Sequence, residues 1–221
     1  MITKRKIEYE PANGPVKMVA LIVNTASGRG AAILDELTPK LDAAEVPHMV
    51  HATESPLDPF RIANGLDIDN FSVLAIAGGD GSVNEAVNGM LAREDKKRIP
   101  IAIIPNGQNN DIAASLGIFT LDIAVDNLKH AEAIAIDSTK VLLDRDDESG
   151  LENDESRLAH VRHMLSGSAL SMPAKIESGA SGMKGMCGKS SYSISSIFQA
   201  VTCGFVADTY DVEIDDLKYN S

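Results

Sequence analysis

The sequence predicts an α/β fold built on an open, mostly parallel sheet, and three observations carry that expectation. Four short runs of strand character, three of them largely apolar (16–23, 72–77 and 99–104) and one mixed (47–52), alternate with stretches of helical spacing. Three of these runs end in loops rich in Gly, Asn and Ser: NTASGRG at 24–30, GGDGS at 78–82 and PNGQNN at 105–110. Aromatic residues make up only 4% of the chain, with no Trp, while Ala, Ile, Leu and Val dominate. That composition suits a parallel sheet covered by helices better than a sandwich built on aromatic ladders.

The elements follow in order. The β-branched run at 16–23 reads as the first strand, 24–30 as a glycine-rich turn and 31–44 as a helix. A second strand is expected at 47–52, a short helix at 56–65 and a buried third strand at 72–77. After GGDGS, a helix from Val83 to about Ala92 would place Val83, Val87, Met90 and Leu91 on one face. IPIAII at 99–104 is a fourth buried strand, followed by helices at 111–116 and 121–130. AIAIDSTKVLL at 133–143 alternates as a strand of a second unit.

In an open parallel sheet, loops that follow strands at their carboxyl ends line one edge, where ligands bind. The three glycine-bearing loops should therefore converge on one crevice. A 221-residue chain with 44% hydrophobic residues can bury a substantial core. Its formal net charge of −12 argues against general affinity for nucleic acid or for anionic membrane surfaces, both of which select clusters of Lys and Arg. Cys187 and Cys203 fall in no metal or redox pattern, which points to a reducing compartment. The amino-terminal residues lack the apolar run of a secretory signal, and no stretch of about 18 apolar residues is present to span a bilayer.

The GGDGS loop is the most specific signal. Gly78, Gly79 and Gly81 let backbone amides approach a phosphate with no Cβ in the way, and the helix that follows adds its positive end. Asp80 is the odd member, because a carboxylate in an anion-binding loop costs repulsion unless it accepts a proton, holds a metal or fixes the loop. A tight turn with Asp80 as helix N-cap is the plain alternative. Glu85 is placed where it can favour the helix dipole and reach a loop amide. In the first loop, Asn24, Ser27 and Gly28 are candidates for a nucleotide site, although such turns also serve loop geometry alone, and Arg29 reads as a solvated side chain. There is no GxxxxGK[ST] loop and no GxGxxG dinucleotide turn.

Three segments taken together, NTASGRG at 24–30, AGGDGSVNEAVNGML at 77–91 and IPIAIIPNGQNNDIAASLG at 99–117, resemble the catalytic domain of diacylglycerol and sphingosine kinases. GFVADTYDVEIDDLKY at 204–219 is similar to the segment that begins the lipid-binding part of sphingosine kinases. The resemblance implies a nucleotide-binding α/β domain like that of NAD kinases and diacylglycerol kinases at 16–131, after an extension at 1–15. The start of an incomplete β-sandwich would follow at 132–221. It implies an ATP-dependent lipid kinase that uses Mg²⁺ in the cleft, acts on a lipid at a membrane surface, and is cytoplasmic with transient membrane association. Asp80 would be the general base. Asn24, Ser27, Gly28, Gly79, Gly81, Ser82, Glu85, Gly107, Asn109 and Asn110 would bind or support the nucleotide, and Asp208 or Asp211 would pair with a sphingoid amine.

The sequence departs from the family at several points. Ser82 stands where the family has threonine, and Gln108 where it favours a threonine hydroxyl. The acidic and Ser/Gly-rich stretch at 144–191 reads as a disordered insert, with seven acids against Arg145 in its first part, and the chain reads as a fragment. His160 and His163, three apart in an expected short helix, read as an exposed face without a third metal ligand, and no metal residue is assigned. A strand is expected at 195–206. The rival readings are a catalytically inactive nucleotide-binding module and a soluble NAD kinase-like enzyme.

Overall fold

The computed structural model of the chain describes residues 17–25, 30–130, 133–142, 161–165, 211–214 and 217–220. The chain divides into two compact units, 1–166 and 167–221. In the first, strands β1 (Val19–Asn24), β2 (His48–Thr53), β3 (Val73–Gly78) and β4 (Ile101–Pro105) form one parallel sheet in the order β2-β1-β3-β4. The chain leaves β1 in one direction to reach β2 and crosses back to β3, so the switch in strand order falls between β1 and β3. Open sheets of this kind bind ligands outside the carboxyl ends of the strands at that point.

Every residue of β3 is buried, as are Val19 to Val23 of β1. Alternate side chains serve two cores, as the period of a strand requires. Ala20, Ile22, Leu74 and Ile76 face α2 (Asp58–Gly65), α3 (Asp80–Leu91) and α4 (Asp111–Ser115) through Ala63, Val83, Ala86, Met90, Ile112 and Ala113. Val19, Leu21, Val23, Val73, Ala75 and Ala77 face α1 (Gly30–Ala43) and α5 (Leu121–His130) through Leu37, Leu41, Ala124, Val125 and Leu128. A strand covered on both faces reads as a continuous apolar run, which is why these strands are legible. Each fully buried Leu, Ile or Val contributes roughly 1.5–3 kcal/mol.

Gly89 brings α2 and α3 together. A Cβ there would lie 2.2 Å from the Phe60 carbonyl oxygen and 2.9 Å from the Phe60 Cα, both backbone atoms that cannot rotate away. Gly89→Ala is expected to destabilise the chain by about 1–3 kcal/mol through overpacking, even though alanine favours a helix interior by about 1 kcal/mol. Denaturant unfolding checks this, and a variant as stable as the parent would show that the two helices can separate freely. Arg93, nearly buried, closes the carboxyl end of α2 by donating to the carbonyls of Ala63, Asn64 and Leu66, and it pairs with Asp95 at 2.6 Å.

At the other end of α2, the Asp58 carboxylate accepts from the Ser55 hydroxyl at 2.6 Å and from the backbone N–H groups of Glu54 and Ser55 at 2.9 and 2.8 Å. These bonds, that of the Ser55 hydroxyl foremost, hold its pKa at about 2, below the ordinary 3.8. A carboxylate depressed in the folded state supports folding above its unfolded pKa and loses that support as pH falls through the folded value. Asp58→Asn should therefore flatten the fall in melting temperature between about pH 4 and pH 2. An unchanged acid limb would remove this group from the acid response.

Several sequence expectations are corrected. The third helix starts at Asp80 rather than Val83, because the glycine loop tightens directly into the helix with Gly79 as N-cap. Leu91 is 36% exposed, while Ala86, Asn88 and Gly89 are buried. Among the described residues of the strand expected at 133–143, only Thr139–Leu142 forms a strand, β5. Ile134 and Ile136 are exposed at 74% and 49%. Alternation alone makes no ladder without a partner strand, and β5 finds one only over the four residues paired antiparallel with β6 (Val161–Met164).

That partner lies inside the stretch expected to be a disordered insert, and it places His163 in a strand rather than a helix. The buried side chain of Asn88 explains why. Its Oδ1 accepts from the His163 N–H at 2.8 Å and its Nδ2 donates to the His163 carbonyl at 2.9 Å, so one amide does the work of a neighbouring strand. The β5–β6 ribbon thus belongs to the first compact unit. No group of three or more His, Cys, Asp or Glu that could hold a metal ion occurs among the described residues. No helix among them is long and apolar enough to cross a membrane. In the second unit, β7 (Asp211–Ile214) and β8 (Leu217–Asn220) form an antiparallel hairpin. His160, the expected strand at 195–206 and most of the stretch at 144–191 lie outside the described residues.

Candidate active site

Register alone brings three loops to one edge of the sheet. Val23 of β1 lies beside Ala77 of β3, and Gly78 beside Pro105 of β4. The segments that follow, beginning at Asn24, Gly79 and Asn106, therefore leave the sheet as neighbours. The Asn106 N–H extends the ladder by donating to the Gly78 carbonyl at 3.1 Å.

Two glycines let the loops touch. A Cβ on Gly107 would stand 2.3 Å from the Gly79 Cα, and one on Gly79 would stand 3.1 Å from the Gly107 Cα, so the two backbones pack directly on each other. Asn110 fixes the third loop from within. It adopts a left-handed backbone (φ 57°), its Oδ1 accepts from the Gly107 N–H at 2.7 Å and its Nδ2 donates to the Gly107 carbonyl at 3.2 Å. Asparagine tolerates that backbone region and closes such local rings readily. The first loop is tied in through Asn24 Nδ2, which donates to the Ser82 hydroxyl at 3.2 Å, and the Thr25 hydroxyl donates to the Thr53 carbonyl at 2.7 Å.

Asp80 sits in the first turn of α3, half-buried, and its Oδ1 accepts from the backbone N–H of Ile112 at 2.9 Å. It does not cap its own helix, so the plain N-cap alternative is replaced by a contact across to α4. Oδ2 makes no hydrogen bond among the described residues. The carboxylate is thus aimed by one oxygen and open at the other. Gly81 is exposed, and a Cβ there would meet nothing within 4 Å. The space beside Gly81 is open on that side.

Of the residues expected from sequence, the structure brings Asn24, Gly79, Asp80, Gly81, Ser82, Gly107 and Asn110 together at one edge of the sheet. Asn109 is exposed beside it. Ser27, Gly28, Arg29 and Asp208 lie outside the described residues, and Asp211 begins β7 of the second unit. Glu85 is corrected. The helix starts at Asp80, so Glu85 falls in its second turn, where it reaches no loop amide among the described residues. Its Oε2 is buried without a hydrogen-bond partner and stands 3.9 Å from Arg162 Nη1. Sequence reasoning missed Asn106, whose Nδ2 is buried and without a partner among the described residues, and Asn88 and Arg162 of the ribbon contact. Asn106 stood within the recognised loop, whereas no local signal announced the pairing of positions 88 and 163.

Residues 18–141 match the family model described as the diacylglycerol kinase catalytic domain. A diacylglycerol kinase of Bacillus subtilis (strain 168) is 33% identical over 130 residues, covering 57% of this chain and 42% of that protein. Sphingosine kinase 1 of Caenorhabditis elegans is 34% identical over 104 residues, covering 43% of this chain and 22% of that protein. The chain thus spans less than half the length of these curated relatives. A crystal structure of a diacylglycerol kinase from Bacillus anthracis str. Sterne superposes with a TM-score of 0.59 at 24% identity, over 93% of this chain and 63% of that one, and supports the fold. With the match to the family model covering more than half of its length, the chain belongs to the diacylglycerol kinase catalytic-domain family of lipid kinases.

Proposed function

We propose that the chain is the nucleotide-binding part of an ATP-dependent lipid kinase that transfers the γ-phosphoryl group to the hydroxyl of a sphingoid base or of a diacylglycerol or acylglycerol. The observation that carries this reading is Asp80, pinned by the Ile112 N–H through one oxygen and without a hydrogen bond at the other among the described residues, in the first turn after a glycine loop. Phosphoryl transfer rests on positioning and on neutralising charge, with a base to take the acceptor's proton.

In this mechanism the amides around Gly79, Gly81 and Ser82 and the positive end of α3 bind the phosphates. Asn24, Gly107, Asn109 and Asn110 shape the nucleotide side. The lipid hydroxyl donates to Asp80 Oδ2. Its proton passes to the carboxylate as its oxygen bonds to the γ-phosphorus and the bond to the β-phosphate oxygen breaks, leaving ADP and a lipid phosphate. A magnesium ion takes much of its coordination from phosphates and water and needs few protein ligands. Exposed Asp111 in the first turn of α4 fits as the carboxylate that would hold it, where the ion would neutralise phosphate charge.

The lipid would be met at a membrane surface through transient association. The test is transfer of labelled γ-phosphate from Mg-ATP to sphingosine, diacylglycerol, monoacylglycerol and ceramide in mixed micelles. Labelled product identifies the acceptor class. Nucleotide binding by folded chain with no product from any acceptor would leave a nucleotide-binding module instead.

A further inference from the structure

We propose that Arg162, on the β5–β6 ribbon, is a nucleotide-binding residue that neutralises the phosphates held by the GGDGS loop. The inference rests on the ATP-dependent reading above and deepens it by adding a cation from outside the loops. Arg29 of the first loop lies outside the described residues, and the described part of the three loops brings negative charge through Asp80 and Asp111. A triphosphate entering such a site needs positive charge beyond backbone amides and one helix end.

The other described cations of the first unit are placed elsewhere. Lys17 and Arg98 precede β1 and β4, at the opposite end of the sheet. Lys40 is bonded to Asp122, Arg61 to Asp58 and Lys97 to Asp69, and Lys129 lies in the last turn of α5. Arg93, Lys96 and Lys140 line a polar hollow beyond the carboxyl end of α3.

Arg162 approaches α3 from the other direction. Asn88 grips the backbone of His163 with bonds of 2.8 and 2.9 Å, which sets the neighbouring Arg162 against the helix. Arg162 Nη1 then stands 3.9 Å from Glu85 Oε2, one helical turn closer to the loop than Asn88. That separation is too long for a hydrogen bond, so Glu85 holds the guanidinium by charge and leaves its donors available. Glu85 and Gly81 are four residues apart and share a face of α3. At Gly81 that face is open, with nothing within 4 Å of where a Cβ would sit. Phosphate oxygens on the Gly81 amide would therefore lie about one turn, roughly 5.4 Å, above the carboxylate that holds Arg162, within reach of a long side chain.

The experiment is titration of the full chain with Mg-ATP, inorganic tripolyphosphate and adenosine, comparing the parent with Arg162→Gln, Arg162→Lys and the control Arg61→Gln. Arg162→Gln should weaken Mg-ATP and tripolyphosphate by about ten- to a hundredfold and leave adenosine unchanged, the loss expected for one charge-assisted contact. Arg162→Lys should restore part of the affinity, and Arg61→Gln should match the parent. Because Arg162 also touches Glu85, melting temperatures are read in parallel. A loss of all three ligands in step with stability would mark Arg162 as merely structural and overturn the proposal. Parent-like phosphate affinity in Arg162→Gln would overturn it while leaving the kinase reading intact. A parent that binds neither Mg-ATP nor tripolyphosphate would remove both.

Discussion

Asp80→Asn is expected to lower phosphoryl transfer by roughly 10²–10⁴-fold, the usual worth of a positioned general base, while ATP still binds. The substitution is chosen because it separates the two tasks of this side chain. The Asn carbonyl oxygen can still accept from the Ile112 N–H, now 2.9 Å from Asp80 Oδ1, so the bridge between α3 and α4 and the melting temperature should persist. What disappears is the basic oxygen and a negative charge beside the phosphates. Nucleotide affinity should hold or rise, since like charges near the phosphates are relieved. Asp80→Ala removes the bridge as well and should lose stability in addition. The decisive readouts are the turnover number and the dissociation constant of Mg-ATP measured on the same preparation. Asp80→Asn protein with parent turnover would show that the carboxylate only fixes the loop and that the acceptor's proton leaves by another route.

The parts legible in the sequence are those whose physics is local. β3 is buried over its whole length, so its apolar run announces a strand covered on both faces. GGDGS is legible because close contacts favour glycine, and the structure shows one at Gly78, where a Cβ would lie 2.8 Å from the Ser82 Cβ, and another in the third loop at Gly107. The start of α3 was read three residues late because glycine and aspartate are poor helix formers, whereas the tertiary bond from Ile112 to Asp80 draws them into the first turn.

The ribbon was illegible for a different reason. Nothing in the residues around Val161–Met164 distinguishes a strand from a short helix, and the deciding partner is an asparagine 75 residues earlier. The same distance hid Glu85. At positions 80–85 it looks like a residue that supports the loop, but its neighbour is Arg162, brought in by that ribbon. A buried polar side chain in a helix interior, as at Asn88, is the signal that would have pointed there, because such a group demands a partner.

Gly107→Ala should be the most damaging single-methyl change in the second and third loops. The added Cβ would lie 2.3 Å from the Gly79 Cα, 2.7 Å from Asn110 Oδ1 and 3.1 Å from the Gly79 backbone nitrogen. Two of these three neighbours are backbone, and the third is the oxygen that holds the Gly107 N–H, so relief requires the second and third loops to part. Overpacking of this kind costs about 1–3 kcal/mol, and if nucleotide binding must restore the closed arrangement, ATP affinity falls by roughly 5- to 160-fold. Gly79→Ala meets its nearest neighbour at 3.1 Å, a contact that a shift of a few tenths of an ångström relieves, and should lose less. Gly81→Ala meets nothing within 4 Å and should leave stability unchanged, yet it places a methyl on the open side where phosphate is expected, so it should weaken ATP without lowering the melting temperature. Thermal melts and Mg-ATP titrations of the three variants therefore form one ordered test. If Gly107→Ala kept parent stability and parent ATP affinity, the two loops would not pack backbone to backbone in solution, and the crevice assembled from them would have to be abandoned as the nucleotide site.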